Sequence, residues 1–172
     1  MLSPTSHILI VSPNDAVITA VKHIMLRLGY EKFTTAPAYS IAIHRFMEHS
    51  FDMVLFDTAR SDMQSKDFVR NVKSFEEDCI RVGVSVDPDL KTILDLLEGG
   101  THGFLIAPFT EEGVREVLNY AKEAPTFSQA MFDSVNRIAT FKALVLHNLN
   151  RLADAKQKFK LTGESTEDLT AL

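Results

Sequence analysis

Short apolar runs alternate with amphipathic stretches between residues 7 and 122 of the chain. The apolar runs are rich in β-branched side chains, as is typical of strands buried on both faces of a parallel sheet. The stretches between them repeat apolar residues every three or four positions, which is typical of helices that cover such a sheet. The alternation predicts an α/β fold with right-handed crossovers. The five strands are expected at 7–11, 32–36, 52–57, 80–84 and 103–106.

Capping residues predict where the first two helices begin and end. Ser12 is expected to cap the first helix, Pro13 to occupy its first position and Gly29 to end it. Its apolar face is expected to carry Val17, Val21, Ile24, Met25 and Leu28. The second helix, at 39–49, is expected to turn its apolar side chains toward the sheet. They are Ile41, Ile43, Phe46 and Met47.

Similar signals mark the later helices. A short helix is expected at 66–74. Asp87 is expected to cap a helix that Pro88 opens and that runs to Glu98. Thr110 is expected to cap the last helix of the domain.

Composition and charge narrow the class of protein. The chain is 45% hydrophobic and 24% charged, so it can bury a core without disulfide or metal staples. Its only cysteine, Cys79, is predicted to be a buried and inert thiol. The net charge of −5 shows none of the excess positive charge that is typical of proteins that bind nucleic acid or acidic lipid. No run approaches the ~20 apolar residues of a membrane-spanning helix, and no signal-peptide pattern is present, so the cytoplasm is the expected compartment.

The sequence changes character after residue 123. No proline or glycine lies between Pro125 and Gly163, and apolar residues recur at steps of four and three. This heptad-like seam predicts a long helix, which could fold back on the domain, associate with a second copy or dock on a partner. We therefore predict a domain at 1–123, a helical extension at 124–161 and a flexible tail at 162–172. The seam residues expected to contact a second copy or a partner are Met131, Val135, Ile138, Val145, Leu149 and Leu152.

The order and spacing of several segments resemble the response-regulator receiver domain family. The resemblance covers residues 7–122, and no single segment is specific by itself. It implies the strand order 2-1-3-4-5, which is taken from the known flavodoxin-like fold and does not follow from the residues themselves. The matching segments are 8–11, 28–30, 51–57, 98–104 and 108–110.

The resemblance implies roles for three residues. Asp57 matches the phosphoacceptor position, Ser85 the hydroxyl position and Phe104 the switching aromatic position of the family. An active receiver is a phosphoryl-transfer device in which Mg²⁺ neutralises phosphoryl oxygens and a lysine stabilises the product phosphate. These requirements identify the positions at which this chain departs from the family.

Three charged groups of the family pattern are missing. Ser12 and Pro13 occupy the positions of the acidic pair that helps to bind magnesium, and Ala107 replaces the lysine after the last strand. Each lost charge-assisted contact is worth roughly 1.5–3 kcal/mol, so Mg²⁺ binding is expected to be weak or absent. No other metal site or cofactor is expected.

Residues at two places in the chain could compensate for the missing charges. Asn14 and Asp15 could serve as substitute metal ligands, although both also suit a helix N-terminus. Arg60 could form a salt bridge with Asp57, although loop arginines are more often solvated.

The sequence thus predicts a degenerate receiver, or pseudo-receiver, which is not an enzyme. It would serve as a phosphorylation-independent protein–protein interaction module in bacterial signalling, and as a homodimer without nucleic-acid binding or membrane insertion. The expected surface comprises the helix from Pro88, the strand at Phe104 and the helix from Glu111. Two alternatives stay open: a phosphorylation-competent switch that uses Asp57 with atypical metal ligands, and an RNA-binding antiterminator-like regulator that acts through the tail.

Overall fold

A parallel sheet of five strands forms the middle layer of the fold. The structure is a computed structural model that describes residues 2–59, 61–87 and 89–123. The sheet order is β2-β1-β3-β4-β5, which confirms the predicted fold class and strand order. The strands are β1 (His7–Val11), β2 (Lys32–Ala36), β3 (Met53–Asp57), β4 (Ile80–Ser85) and β5 (Gly103–Ile106).

Helices cover both faces of this sheet. They are α1 (Asp15–Arg27), α2 (Tyr39–Glu48), α3 (Ser65–Phe75), α4 (Leu90–Glu98) and α5 (Glu111–Glu123). Successive strand residues point to opposite faces, so Leu9 joins one buried cluster and Ile10 the other. The first cluster lies under α2, α3 and α4, and the second under α1 and α5. The predicted apolar face of α1 is confirmed, with Val17, Val21 and Met25 buried and Ile24 and Leu28 packed beside them.

The start of α1 differs from the prediction that Ser12 is its cap. Asn14 caps the helix, and its side chain accepts a hydrogen bond from the Ala16 amide at 2.9 Å. The predicted role of Pro13 as the first helical residue is also wrong, because α1 begins at Asp15. Ser12 lies two residues before this cap, and its hydroxyl accepts the Asn14 amide and donates to Asp57, as described below.

The start of α4 also lies two residues later than predicted. Asp89, not Asp87, caps α4, because its carboxylate accepts hydrogen bonds from the amide and the hydroxyl of Thr92 at 3.0 and 2.7 Å. The prediction for α5 is confirmed, since the Thr110 hydroxyl accepts a hydrogen bond from the Gly113 amide at 3.1 Å.

The buried face of α2 is rotated from the predicted one. Ile41 and Met47 are 41% and 63% exposed, so the prediction that they face the sheet is wrong. Tyr39, Ala42 and Phe46 are buried instead, with Ile43 packed against them. The reason is an aromatic cluster in which the Tyr39 ring stacks on Phe68 of α3 with centroids 4.3 Å apart.

Cys79 lies just before β4 and is 2% exposed, as predicted. Burial raises the pKa of its thiol to about 12, so the reactive thiolate is scarce at neutral pH. Within the described residues, no helix combines the length and apolar character required to cross a membrane. The predicted helical extension at 124–161, its seam and the tail at 162–172 lie outside the described residues.

Candidate functional site

Asp57 is the last residue of β3 and lies at the carboxyl edge of the sheet, where ligands of doubly wound folds bind. Its side chain is 3% exposed, and both of its oxygens accept hydrogen bonds. The Ser12 hydroxyl donates to Asp57 Oδ2 at 2.6 Å, and the Ala59 amide donates to Asp57 Oδ1 at 2.9 Å. The carboxylate is therefore held in place by a side chain that follows β1 and by the backbone of its own loop.

The ends of β4 and β5 complete this edge. Ser85 ends β4 and is 4% exposed, and the Ala107 amide, just after β5, donates to the Ser85 carbonyl at 2.9 Å. The Thr58 amide donates to the Val84 carbonyl at 2.8 Å. The sequence-predicted residues Asp57, Ser85 and Ala107 thus follow or end three neighbouring strands, and Ala107 contributes only a methyl group there.

Residues 8–119 match the family model of the response regulator receiver domain. This chain belongs to that family. The chemotaxis protein CheY of Bacillus subtilis is 24% identical over 112 residues, which is 65% of this chain and 93% of that protein. Receiver domains are generally signalling modules of two-component systems that interact with protein partners.

Solved structures of other proteins show the same fold. A signal receiver domain from an HD domain-containing protein of Pseudomonas fluorescens superposes with a TM-score of 0.63 at 19% identity, covering 72% of this chain and 90% of that one. A pilus assembly-related protein of Burkholderia pseudomallei superposes with a TM-score of 0.61 at 17% identity, covering 70% of this chain and 92% of that one.

The donor set around the receiver aspartate does not fit the magnesium site that the family implies. Magnesium prefers octahedral oxygen ligands with carboxylates among them, and Asp57 is the only carboxylate that the fold brings to this point from the family's ligand positions. Pro13 is exposed and offers no side-chain oxygen, and the Ser12 hydroxyl is already directed at Asp57. Among the described residues, no three histidine, cysteine, aspartate or glutamate side chains are grouped so that they could hold a metal ion.

Of the three residues that could substitute for the missing charged groups, two lie at the start of α1 and the third lies outside the described residues. Asn14 uses its side-chain oxygen to cap α1, and Asp15 is exposed in the first turn of that helix. Arg60 lies outside the described residues. No described lysine or arginine forms an ion pair with Asp57.

Tyr39 supports the site from behind and was missed by the sequence analysis. Its phenol donates to the Asp57 carbonyl at 2.5 Å and shares a hydrogen bond of 2.9 Å with the Ser65 hydroxyl. Burial, above all, raises the pKa of Tyr39, so the phenol keeps its proton at neutral pH. One side chain of α2 thus fixes both the end of β3 and the start of α3.

Asp62 anchors the loop that follows the receiver aspartate and was also missed. Its carboxylate accepts hydrogen bonds from the Tyr39 and Ser40 amides at 3.0 and 3.1 Å, and so caps α2 in place of Ala38, whose side chain makes no capping bond. Hydrogen bonds from Ser40, and then from Ser61, lower the pKa of Asp62 to about 2. The charge of Asp62 at the N-terminus of α2 also interacts favourably with the helix dipole.

Proposed function

We propose that this receiver is a protein-interaction module whose binding to partners does not depend on phosphorylation of Asp57. The observation that carries the proposal is the 2.6 Å hydrogen bond from Ser12 to Asp57 Oδ2. A serine hydroxyl thereby occupies the place from which the family's acidic pair would hold a metal ion next to the phosphoacceptor.

The charge balance at the edge supports the same conclusion. Transfer of a phosphoryl group requires compensation of the charge on its oxygens, usually by metal ions and cationic side chains. Ala107 offers no cation, and Ser12 and Pro13 offer no carboxylate for a metal ion. Binding of Mg²⁺ as a cofactor at this site would therefore be weak or absent, and the site would carry out no phosphoryl transfer.

The surface that we assign to partner binding is formed by α4, β5 and α5. Residues 86–119, which contain α4, β5 and most of α5, carry seven acidic and two basic side chains, a net charge of −5. The remaining chain carries 16 of each sign, since 23 − 7 and 18 − 2 both equal 16. Glu111 forms ion pairs with Arg27 and Arg115 at 2.8 and 2.7 Å, which leaves the excess of acidic groups elsewhere in this segment. Such a surface complements a basic partner.

The decisive experiment measures binding of beryllium trifluoride, a phosphoryl analogue, in the presence of Mg²⁺. Isothermal titration of the full chain is expected to show no binding that depends on Asp57. A matched variant, Ser12→Asp/Pro13→Asp/Ala107→Lys, restores the three missing charged groups and is expected to gain binding. Adding Asp57→Asn to that variant should abolish the gain.

One result would contradict the proposal. Tight binding by the unaltered chain that is lost in Asp57→Asn would show a phosphorylation-competent switch with atypical ligands. If the charge-restored variant does not fold, as judged by circular dichroism, the titration of the unaltered chain and of Asp57→Asn still decides the question.

A further inference from the structure

Phe104 of β5 lies beside Gly83 of β4, and the two residues are paired in register. A Cβ atom added to Gly83 would lie 2.3 Å from Cε1, 2.7 Å from Cδ1 and 2.8 Å from Cζ of the Phe104 ring. The ring therefore occupies the volume that a side chain at position 83 would fill. It is partly buried and packs against the core cluster under α2, α3 and α4.

The backbone does not require glycine at position 83. Among the described residues only Gly29 and Gly100 have positive φ angles. Glycine in the interior of a strand weakens the strand and often marks a close approach of another group, which here is the Phe104 ring. Gly83 is thus explained by the ring that it accommodates.

An outward rotation of Phe104 would leave this volume empty. Gly83 has no side chain to fill it, and protein interiors tolerate few voids because the surrounding structure relaxes only partly. In a strand with an ordinary side chain at position 83, that side chain would fill part of the volume and favour the outward ring. Gly83 therefore biases Phe104 toward the inward position.

The neighbouring ends of β4, α4 and β5 are also tied together. The buried Arg81 side chain donates from Nε to the Gly100 carbonyl at 3.0 Å, just after α4. The Arg81 amide donates to Nδ1 of His102 at 3.1 Å, and the His102 amide donates to the Arg81 carbonyl at 2.7 Å. These bonds oppose a shift of β5 against β4 that could make room for a second ring position.

We infer that Gly83 locks the aromatic residue of β5 inward and thereby presents the α4–β5–α5 surface in one fixed state. The inference rests on the proposed function in that it describes how the proposed partner surface is regulated. Where other receivers would switch an aromatic residue at this position, this chain holds Phe104 in place by the absence of a side chain on the adjacent strand.

The test compares Gly83→Ala with the matched control Gly103→Ala. The control adds the same methyl group to β5, where its Cβ would lie 2.9 Å from Cγ1 of Val117, which packs against the other core cluster from Phe104. Proteins with ¹³C-labelled phenylalanine rings are examined by NMR, and the Phe104 signal is assigned by its loss in Phe104→Leu. In the unaltered chain we expect one Phe104 signal, contacts with buried core side chains and no microsecond-to-millisecond exchange.

Gly83→Ala should shift the Phe104 signal and remove its core contacts, whereas Gly103→Ala should preserve them. Two exchanging ring positions in the unaltered chain, or unchanged core contacts in Gly83→Ala, would overturn the inference. If Gly83→Ala does not fold, the exchange measurement on the unaltered chain decides. Beryllium trifluoride binding with a static Phe104 would refute the proposed function alone, and an exchanging Phe104 without such binding would refute the lock alone.

Discussion

Ser12 and Asp57 lie 45 residues apart in the sequence and share a buried hydrogen bond. A hydrogen bond to a charged group contributes more than one between neutral groups, and a buried acceptor that loses its donor is unfavourable. The Ser12 hydroxyl also accepts the Asn14 amide at 3.0 Å, so it links the turn after β1 to the end of β3. Ser12 therefore not only lacks the carboxylate of a metal ligand but also has a structural role of its own.

Replacing Ser12 by alanine is expected to lower the free energy of unfolding by about 1.5–3 kcal/mol, because Asp57 Oδ2 loses its side-chain donor. Urea denaturation at neutral pH measures the change. A double-mutant cycle with Asp57→Asn should show coupling between the two positions, since each substitution removes one end of the same bond.

Ser74→Ala is the matched control for this measurement. The Ser74 hydroxyl also makes a hydrogen bond, to the Asn71 carbonyl at 2.7 Å, but it is exposed, so its loss should change stability by less than about 0.5 kcal/mol. Equal effects of Ser12→Ala and Ser74→Ala would show that the Asp57 bond adds no particular stability.

The sequence could predict part of this site. The order and spacing of the receiver segments predicted that Asp57, Ser85 and Ala107 would lie at strand ends, where the structure has them. The bond between Ser12 and Asp57 was not predicted, because a serine before a proline is also a good helix cap. Local preference cannot choose between a backbone amide nearby and a carboxylate on another strand.

At the scale of elements, the strands and helices were predictable because apolar periodicity is local. Their ends were less so, as the corrected starts of α1 and α4 show. Asp62 caps α2 from 22 and 23 residues away, a contact that no local pattern could indicate. The buried face of α2 was missed for the same reason, because stacking of Tyr39 on Phe68 rotates the helix away from the face that its own apolar residues favour.

The contact between β4 and β5 predicts a pH dependence of stability. Burial, followed by the charge of Arg81, lowers the pKa of His102 from 6.5 to about 4 in the folded chain. The unfolded chain thus binds a proton on His102 between pH 6.5 and about pH 4 while the folded chain does not. The free energy of unfolding should fall as pH falls through this window, by about 2 kcal/mol once partial exposure of the imidazole is allowed for.

His102→Asn isolates this contribution. The asparagine amide oxygen can accept the Arg81 amide in place of Nδ1, which accepts only while it is unprotonated, and it does not titrate. Chemical denaturation from pH 7.5 to pH 4 should give a smaller loss of stability for His102→Asn than for the unaltered chain, with similar stability of the two at pH 7.5. Parallel curves would show that His102 does not supply the slope.

At the scale of the whole molecule, the alternation of apolar runs with amphipathic stretches sufficed to predict the α/β class. The strand order came from the resemblance to receiver domains. The oligomeric state is a separate question, because the seam on which the dimer prediction rests lies outside the described residues. Its support is the apolar repeat at steps of four and three in the sequence, which is typical of helices that associate. This prediction can be tested independently of the receiver site.

The full chain is expected to sediment at twice the chain mass, and a variant ending at residue 123 as a monomer. Val145→Asp/Leu149→Asp should give a monomer without truncation, because charges on the seam would be buried between helices. Asn148→Asp adds a charge next to the seam and should leave the dimer intact. A monomeric full chain would refute the dimer, whereas a dimer that survives truncation would place its interface within residues 1–123.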